Sequence, residues 1–304
     1  MDEIDEQILA ELLRNGRITL TELATTLGLS RVSAARRLNA LLTESGLRVI
    51  GLAHPAVVGL PVMAHVSIDA AVPVQDLAEQ IAQDPRVPFV SITAGVMSLI
   101  AEIRAKNHED LQACIDDIRR IPGVTSMRTS IYTELLVDIL SPAHIKNPIL
   151  DKLDLALIDV LRQDGRASYA TMASTLGVST GTVRTRVMRI LDSEIVKIGL
   201  SWRPASQERV TRMGLGIRIT GTALDLSKSL EGIPGFTFLA SSIGQHDVIA
   251  TIHGSDANSA LMAVDQIRAL PEVLNIESWI HLKVIKEEHE KPGHPKQDDM
   301  SCTH

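Results

Sequence analysis

The chain has 304 residues and a net charge of −7, with 30 Lys and Arg residues against 37 Asp and Glu residues. Only 2% of its residues are aromatic, which excludes an aromatic stacking surface for single-stranded nucleic acid. Two cysteines exclude a disulfide framework, and charged residues interrupt every apolar run before the ~20 residues that a membrane span needs, so we expect a cytoplasmic protein without a membrane segment.

The first part of the chain has the pattern of a helix-turn-helix. Apolar residues recur at helical spacing from Ile4 to Leu13, and Gly16 follows as a helix breaker. A second, short helix is predicted over Leu20–Leu27 and ends at Gly28. Ser30 is a typical N-cap for a third helix. Two helices, a glycine-containing turn and a capped third helix are the elements of a helix-turn-helix.

The residues that follow change from a helical period to an alternating one. The predicted order is strand, helix, strand, strand, helix, strand, which is that of a ferredoxin-like βαββαβ sandwich. The predicted elements are Val62–Ile68, Val74–Gln83, Phe89–Thr93, Leu99–Ile103, Leu111–Arg119 and Thr125–Tyr132.

The chain then repeats itself at an offset of 149 residues. Gly16-Arg17 matches Gly165-Arg166, and Pro122 matches Pro271 at the same offset. A period this long indicates a tandem duplication of a complete module rather than a solenoid. The predicted elements of the second copy are helices Leu153–Leu161, Tyr169–Leu176 and a third helix capped by Ser179, followed by Leu215–Thr220, Ala223–Leu230, Phe236–Ser241, Val248–His253, Ala257–Ile267 and Ile276–Ile280.

The predicted fold class is therefore α+β, with two tandem copies of a helix-turn-helix followed by a βαββαβ domain. We expect the two helix-turn-helix domains at residues 1–54 and 151–205, and the βαββαβ domains at 60–140 and 211–285. Residues 141–150 contain two prolines and read as a linker, and residues 286–304 read as a disordered tail.

The third helix of each copy is the candidate DNA-binding element. In the second copy Val183, Val187 and Ile190 must face the core, which leaves hydroxyls and arginines on the opposite face. Such side chains suit base edges and phosphates of double-stranded DNA. Residues 150–212 hold ten basic residues against seven acidic ones, so basic charge is local to the second copy. The candidate DNA-binding residues are Arg31, Ser33, Arg36, Arg37, Thr180, Thr182, Arg184, Thr185, Arg186 and Arg189.

Two other interpretations of these arginines stay open. The basic faces can be ordinary solvated helix surfaces, and the matched pair Arg37 and Arg186 can instead fix the third helix to its neighbour. The DNA-binding interpretation predicts that Arg186→Ala together with Arg189→Ala weakens duplex binding and lowers its salt dependence.

Several short motifs occur in both copies and resemble a known family. Gly16-Arg17 and Leu27-Gly28-Leu29-Ser30, with Gly165-Arg166 and Leu176-Gly177-Val178-Ser179, resemble the winged helix-turn-helix of the Lrp/AsnC family. The βαββαβ halves look like the ligand-sensing and oligomerisation domain of that family. The resemblance implies a transcriptional regulator that senses an amino acid or related metabolite and forms homo-oligomers through its sensing domains. A tandem copy then looks like a covalently fused dimer.

The resemblance also implies an effector-binding loop between the second and third strands of each sensing domain. The family motif Gly-x-x-Asp is present in the second copy as Gly244, Gln245, His246 and Asp247, whereas the first copy has Ser98 at the position of the carboxylate. We therefore expect effector binding by the second copy and a lost or altered site in the first. Alternatively, Gly244 and Asp247 only form a tight turn.

The second wing departs from the family pattern. The family places a glycine after the recognition helix, and Gly46 fits this pattern. The second copy has Glu194 instead, so the resemblance implies the family's wing contacts for the first copy and an altered wing for the second.

Two other functions remain as alternatives. Sirohaem decarboxylases share this fold and also occur as fused pairs, but their Tyr and Arg are missing from Ser91–Gly95 and Ser241–Gly244, where we expect them. A sensing module that acts only through protein partners is the second alternative. The histidines lack metal-ligand spacing, and no nucleophile–base pair is visible, so we expect no catalytic residues, no metal and no cofactor.

Overall fold

A computed structural model describes residues 3–44, 48–95, 97–138, 150–193, 195–201, 211–230, 232–233 and 235–287. The helices are α1 (Glu3–Arg14), α2 (Leu20–Thr26), α3 (Arg31–Glu44), α4 (Val74–Ala82), α5 (His108–Arg119), α6 (Lys152–Gln163), α7 (Tyr169–Leu176), α8 (Thr180–Asp192), α9 (Ala223–Ser229) and α10 (Ala257–Arg268). The strands are β1 (Arg48–Ala53), β2 (Val62–Ala70), β3 (Phe89–Ala94), β4 (Leu99–Ala105), β5 (Val124–Asp138), β6 (Val196–Ser201), β7 (Thr211–Ile219), β8 (Phe236–Ile243), β9 (Val248–Gly254) and β10 (Val273–Glu287).

The turn between the second and third helices has the predicted local chemistry in both copies. Gly28 and Gly177 adopt positive φ angles of 64° and 67°, which glycine tolerates best. Ser30 Oγ accepts from the amide of Ser33 at 3.1 Å, and Ser179 Oγ accepts from that of Thr182 at 3.1 Å. These caps satisfy backbone donors that the first turn leaves without intrahelical partners, and so fix where α3 and α8 begin.

The wing strands of the two copies pair with each other. Strands β1 and β6 form a two-stranded antiparallel sheet that runs from the Arg48–Ser201 pair to the Ala53–Val196 pair. Each wing also packs on the helices of the other copy: Ile198 lies against the core of the first helix-turn-helix, and Ala53 is buried in that of the second. Val49 and Val196 are buried in the cores of their own copies, so the paired wings are shared by the two helix-turn-helix units.

A reciprocal pair of arginines joins the same two units, and we call it the arginine clamp. Arg17 donates to the carbonyl oxygens of Gly165 at 2.8 Å and Ala167 at 3.0 Å. The matched Arg166 donates to the carbonyl oxygens of Gly16 at 2.8 Å and Ile18 at 2.9 Å. The clamp and the shared wings hold the two helix-turn-helix units side by side.

The two βαββαβ halves close into a single barrel with strand order β10-β3-β4-β2-β5-β8-β9-β7. Apolar residues of one sheet face pack against the helices outside the barrel, as Ala64, Val66 and Ile68 do against Leu77 and Ile81. The copies meet at two antiparallel seams, β5 with β8 and β10 with β3. In the predicted fused dimer, the sheets of the two copies therefore form one closed barrel.

Pairing across these seams lengthens the last strand of each copy beyond its predicted end. Strand β5 runs to Asp138 and β10 to Glu287, because each continues along a strand of the other copy. Lys286 and Glu287 thus belong to β10 rather than to the predicted tail. Residues 141–149 and 288–304, together with Gly46 and Glu194, lie outside the described residues. No helix in the described ranges is long and apolar enough to cross a membrane.

Candidate nucleic-acid interface and effector loops

The outward faces of α3 and α8 carry exposed cations and hydroxyls. Arg31 and Arg36 on α3, and Arg184 on α8, are exposed, and none of the three has an ion-pair partner within the described part of the chain. Thr180 and Thr185 are exposed on α8, whereas the hydroxyl of Thr182 contacts Ser179 Oγ at 2.9 Å. Ser33 is half-buried at the start of α3.

The other three predicted DNA-binding arginines are held by carboxylates of the first helix of their own copy. Arg37 pairs with Asp5 at 2.8 Å. Arg186 bonds to both Asp151 and Asp154, and Arg189 also bonds to Asp154. The Arg186 guanidinium is the main reason that the pKa of Asp151 is lowered. These contacts are those of the alternative in which Arg37 and Arg186 fix the third helix to its neighbour.

Asp154 is the residue at this contact that the sequence motifs did not single out for a role. Its side chain is only 1% exposed, and it accepts from the amide of Asp151 at 3.1 Å as well as from two guanidinium groups. A buried carboxylate is stable only when it is paired and hydrogen-bonded in this way. An aspartate at the third position of an amphipathic helix, behind an aspartate N-cap, is the pattern that indicates this anchor.

The predicted effector loop of the second copy is a tight turn against the first copy. Gly244 has a φ of 151°, and a Cβ there would lie 2.6 Å from the carbonyl oxygen of Thr129. Asp247 Oδ2 accepts from the amide of Ile219 at 2.9 Å, and the Asp247 amide donates to the carbonyl of Ile217 at 3.0 Å. One carboxylate oxygen of Asp247 thus supports the turn, as the structural alternative expects.

Charged and polar side chains from both copies meet beside this loop, and we call them the loop cluster. Glu277 contacts Gln245 Nε2 at 2.8 Å and His246 Nε2 at 3.2 Å. Arg128, from the first copy, lies 3.5 Å from Glu277 and donates to Gln245 at 3.4 Å. The cluster of Arg128, Gln245, His246 and Glu277 therefore offers both signs of charge at one point on the surface.

The matching loop of the first copy has a different arrangement. Ser98 Oγ donates to Asp69 Oδ1 at 2.9 Å, so a carboxylate from β2 lies where the family motif places one in the loop. The residue that matches Asp69 in the second copy is Arg218. Buried Met97 replaces His246, so this loop lacks the imidazole of the loop cluster.

Arg128, Glu277 and Asp69 are the residues near these loops that sequence reasoning missed. The repeat itself contains a signal for two of them, since positions 128 and 277 match at the offset of 149 and carry opposite charges. Asp69 and Arg218 also carry opposite charges at matched positions, so the repeat alone does not show which of these pairs comes into contact.

The interior of the barrel contains His65, which is buried, and His253 and His281, which are half-buried; they belong to neither candidate site. Burial lowers the pKa of His65 to about 3, that of His281 to about 3 and that of His253 to about 4. His65 lies against the ring of Trp279, whose Nε1 donates to His281 Nε2 at 3.2 Å. Within the described ranges, no three His, Cys, Asp or Glu residues are grouped to hold a metal ion.

Comparison with known proteins places this arrangement in a family. The AsnC-type helix-turn-helix domain matches residues 1–42 and 150–190, and the Lrp/AsnC ligand binding domain matches residues 62–139. Together these matches cover more than half of the chain, and the DNA-binding domain occurs twice. The chain belongs to the Lrp/AsnC family. Members of this family are transcriptional regulators that combine a DNA-binding and a ligand-binding domain, and the chain has both.

Relatives of this Lrp/AsnC chain are about as long as one of its copies. The HTH-type transcriptional regulator LysM of Sulfurisphaera tokodaii is 26% identical over 44% of this chain and 96% of its own length. The regulator FL11 of Pyrococcus horikoshii is 30% identical over 43% of this chain and 88% of its own length.

A solved structure shares the whole two-copy architecture. The siroheme decarboxylase NirDL matches 95% of this chain and 94% of its own with a TM-score of 0.65, at 11% sequence identity. At that identity the likeness shows a common fold alone. The stretches Ser91–Gly95 and Ser241–Gly244 of this Lrp/AsnC chain contain neither Tyr nor Arg.

Proposed function

We propose that this chain is a sequence-specific transcriptional regulator whose DNA affinity or assembly responds to an amino acid or a related small metabolite. The observation that carries the proposal is the presentation of two capped helices, α3 and α8, by helix-turn-helix units that the arginine clamp holds as a pair. A recognition helix enters the major groove with its N-terminal residues nearest the bases, and the first turns of α3 and α8 carry no acidic residue.

The predicted DNA-binding arginines fall into two groups, those that are exposed and those that are paired with a carboxylate. Arg31, Arg36 and Arg184 are exposed and supply charge for phosphates and base edges. Arg186 and Arg189 can contact DNA only if they release Asp154 or bind Asp154 and DNA at the same time. Their first role is therefore to hold α8 against α6. Since Asp154 is buried, loss of both arginines is expected to destabilise the domain as well as weaken DNA binding.

Salt-dependent duplex titration tests the DNA arm of the proposal. Removing one phosphate contact lowers the slope of log affinity against log salt by about 1. Arg184→Ala is expected to show this change with an unaltered melting temperature, because no described partner of Arg184 is lost. Arg268→Ala, an exposed arginine of the sensing half, is the matched control and leaves the slope unchanged. Absence of duplex binding by the unaltered chain contradicts the proposal.

The effector is proposed to bind at the loop cluster of the second copy. A free amino acid carries an ammonium and a carboxylate. The cluster provides Glu277 for the first and Arg128 for the second, and Asp247 of the same loop adds a second carboxylate for the ammonium. Arg128 is 43% exposed and Glu277 21% exposed, so both can be reached from solvent. Charge-assisted hydrogen bonds of this kind are about twice as strong as neutral ones, which favours a zwitterionic ligand.

A thermal-shift screen against the amino acids tests the effector arm. A ligand that binds the folded state raises the melting temperature, and saturation at 100 times Kd corresponds to about 2.7 kcal/mol. Asp247→Asn keeps an oxygen that accepts from the Ile219 amide but removes the charge, and Arg128→Gln removes the cation. Both are expected to abolish the shift, whereas Ser98→Ala in the first copy retains it. An unchanged shift in Asp247→Asn and Arg128→Gln argues against this site.

Further assembly of chains through the sensing halves is part of the proposal. Ile243 is 70% exposed at the end of β8, and Leu282 on β10 is 64% exposed, both at the seams of the barrel. Each seam therefore carries an exposed apolar side chain, which supports association with a second copy there. Light scattering with and without the stabilising amino acid measures whether the effector acts on assembly.

Two measurements distinguish the alternative functions from the proposed regulator. Addition of an iron tetrapyrrole and an absorbance spectrum test the decarboxylase alternative, which predicts a bound chromophore and loss of substrate carboxylates. A module that acts only through protein partners predicts no duplex binding at any salt concentration.

A further inference from the structure

The two recognition helices match on their inward faces and differ on their outward faces. Ala34 and Leu38 on α3 correspond to Val183 and Val187 on α8, and all four are buried. At several outward positions the chemical type changes between the copies. Three pairs of the first two turns that change are Arg31 with Thr180, Val32 with Gly181, and Arg36 with Thr185, whereas Ser33 with Thr182 and Arg37 with Arg186 keep their type.

Val32 is the residue on this face that the fold does not explain. Its side chain is 79% exposed and belongs to none of the buried clusters, although it lies in the first turn of α3 between Arg31 and Ser33. An exposed branched apolar side chain on a recognition helix has one counterpart in the major groove, the C5 methyl group of thymine. Burying these two groups against each other recovers the hydrophobic free energy that the exposed valine lacks.

The matched position in the second copy has no side chain at all. A Cβ at Gly181 would meet only Ser179 Oγ, at 3.8 Å, so packing within the protein does not require glycine there. Glycine in a helix is nevertheless less stable than alanine by about 1 kcal/mol. Because packing within the protein does not explain this glycine, it favours a close approach of the α8 backbone to another molecule. Beside it, Thr185 and Arg184 present a hydroxyl and a guanidinium instead of the apolar group of Val32.

The arginine clamp and the β1–β6 sheet prevent the two helices from acting separately. The clamp joins loops 148 to 150 residues apart in the chain, and the wing of each copy packs on the helices of the other. One chain therefore presents α3 and α8 together, at a fixed spacing. A dimer of identical subunits reads two identical half-sites, but this chain presents two different surfaces.

We propose that one chain recognises a non-palindromic DNA site made of two unlike half-sites. The half-site read by α3 contains a thymine whose methyl group contacts Val32, and the half-site read by α8 is contacted by Arg184 and Thr185. This inference rests on the proposed DNA-binding function and specifies its partner.

Selection of duplexes from a random pool by the full-length chain tests the inference. The expected result is an enriched site of two different half-sequences at constant spacing. An enriched palindrome overturns the inference and leaves the DNA-binding function standing. Absence of any enriched sequence overturns both.

A base analogue tests the role of Val32 within the selected site. Deoxyuridine lacks the C5 methyl group of thymine, so replacing the critical thymine is expected to weaken binding about fourfold, which corresponds to ~0.8 kcal/mol for one buried methyl-sized group.

Val32→Gly, which copies Gly181, is expected to bind both duplexes equally. Val72→Ala, an exposed valine of the sensing half, keeps the fourfold difference. A difference that persists in Val32→Gly contradicts the contact. Glycine is less favourable than valine inside a helix, so each variant is judged by the ratio of its affinities for the two duplexes and not by its melting temperature.

Discussion

Single residues at matched positions have taken different roles in the two copies. His65 on β2 is buried against Trp279, while the residue that matches it is Gly214, over which the indole of Trp279 lies. A large side chain in one copy is thus accommodated by a small one in the other. The result is a barrel interior that holds neutral histidines next to aromatic rings, although the two copies share a fold.

These histidines predict a loss of stability in mild acid. The unfolded chain binds protons below a pKa of about 6.5, whereas burial keeps the pKa of folded His65 and His281 at about 3. Stability is therefore complete above pH 6.5 and falls as the pH is lowered towards 3, by up to ~1.4 kcal/mol per pH unit for each histidine. Urea denaturation between pH 7 and pH 4.5 measures this slope.

Replacement of one histidine separates this effect from general acid denaturation. His65→Gln is expected to reduce the dependence of the unfolding free energy on pH, while His108→Gln, at an exposed position, leaves it unaltered. Equal slopes for His65→Gln and the unaltered chain contradict a role for the buried imidazole.

At the scale of elements, the contacts between copies decide how the helices and wings are arranged. Strand β1 packs on the helices of the second copy and β6 on those of the first, in addition to the cores of their own copies. Gly16 is required at this contact because a Cβ there would lie 2.6 Å from Ile198. The motif Gly-Arg that occurs in both copies therefore has a structural reason: the glycine allows close approach of the wing, and the arginine reaches the carbonyls of the other copy.

Breaking the arginine clamp is expected to separate the two helix-turn-helix units. Arg17→Ala leaves the part-buried carbonyls of Gly165 and Ala167 without these donors, which should lower the free energy of unfolding by about 2 kcal/mol. Spin labels at Asn39→Cys and Met188→Cys, in a Cys302→Ser background, report the spacing of α3 and α8. Cys114 interferes little, because burial raises its pKa to about 12.

The distance distribution between the labels should broaden in Arg17→Ala and stay narrow in Arg36→Ala, which removes an exposed arginine that lacks a described ion-pair partner. A narrow distribution in both variants shows that the wings alone hold the units together.

At the scale of the whole molecule, the chain has an approximate two-fold axis with unlike groups beside it. Arg128 and Glu277 occupy matched positions and face each other at 3.5 Å. In a dimer of identical subunits each position near the axis faces itself, so the same pairing would bring two arginines or two glutamates together. Duplication within one chain removes that restriction, and it allows the two effector loops and the two recognition helices to differ.

Charge exchange at the axis tests this arrangement. Arg128→Glu places two carboxylates together and should lower the free energy of unfolding by about 1 kcal/mol, a value suited to a partly exposed pair. Arg128→Glu combined with Glu277→Arg restores opposite charges and most of the stability. Arg120→Glu, in an exposed helical pair, is the control and changes stability less. Failure of the double exchange to recover stability contradicts direct pairing.

The sequence by itself determined the local elements, the duplication and the family. Helical and alternating periods, glycines at turns and serine caps act between residues close in the chain, so Ser179 and Gly177 could be assigned correctly without a structure. Residues 128 and 277 were already visible as opposite charges in the repeat, although the motifs did not draw attention to them.

Only the tertiary structure decided which copy each group contacts. The pairing of the wings, the closure of two sheets into one barrel and the clamp all join residues more than a hundred positions apart, and local periodicity contains no information about such pairs. The same holds for the arginines of α8. Their spacing places them on the polar face, but the buried carboxylate of Asp154 draws Arg186 and Arg189 towards α6, because an unpaired charge in the interior is far less stable than a paired one.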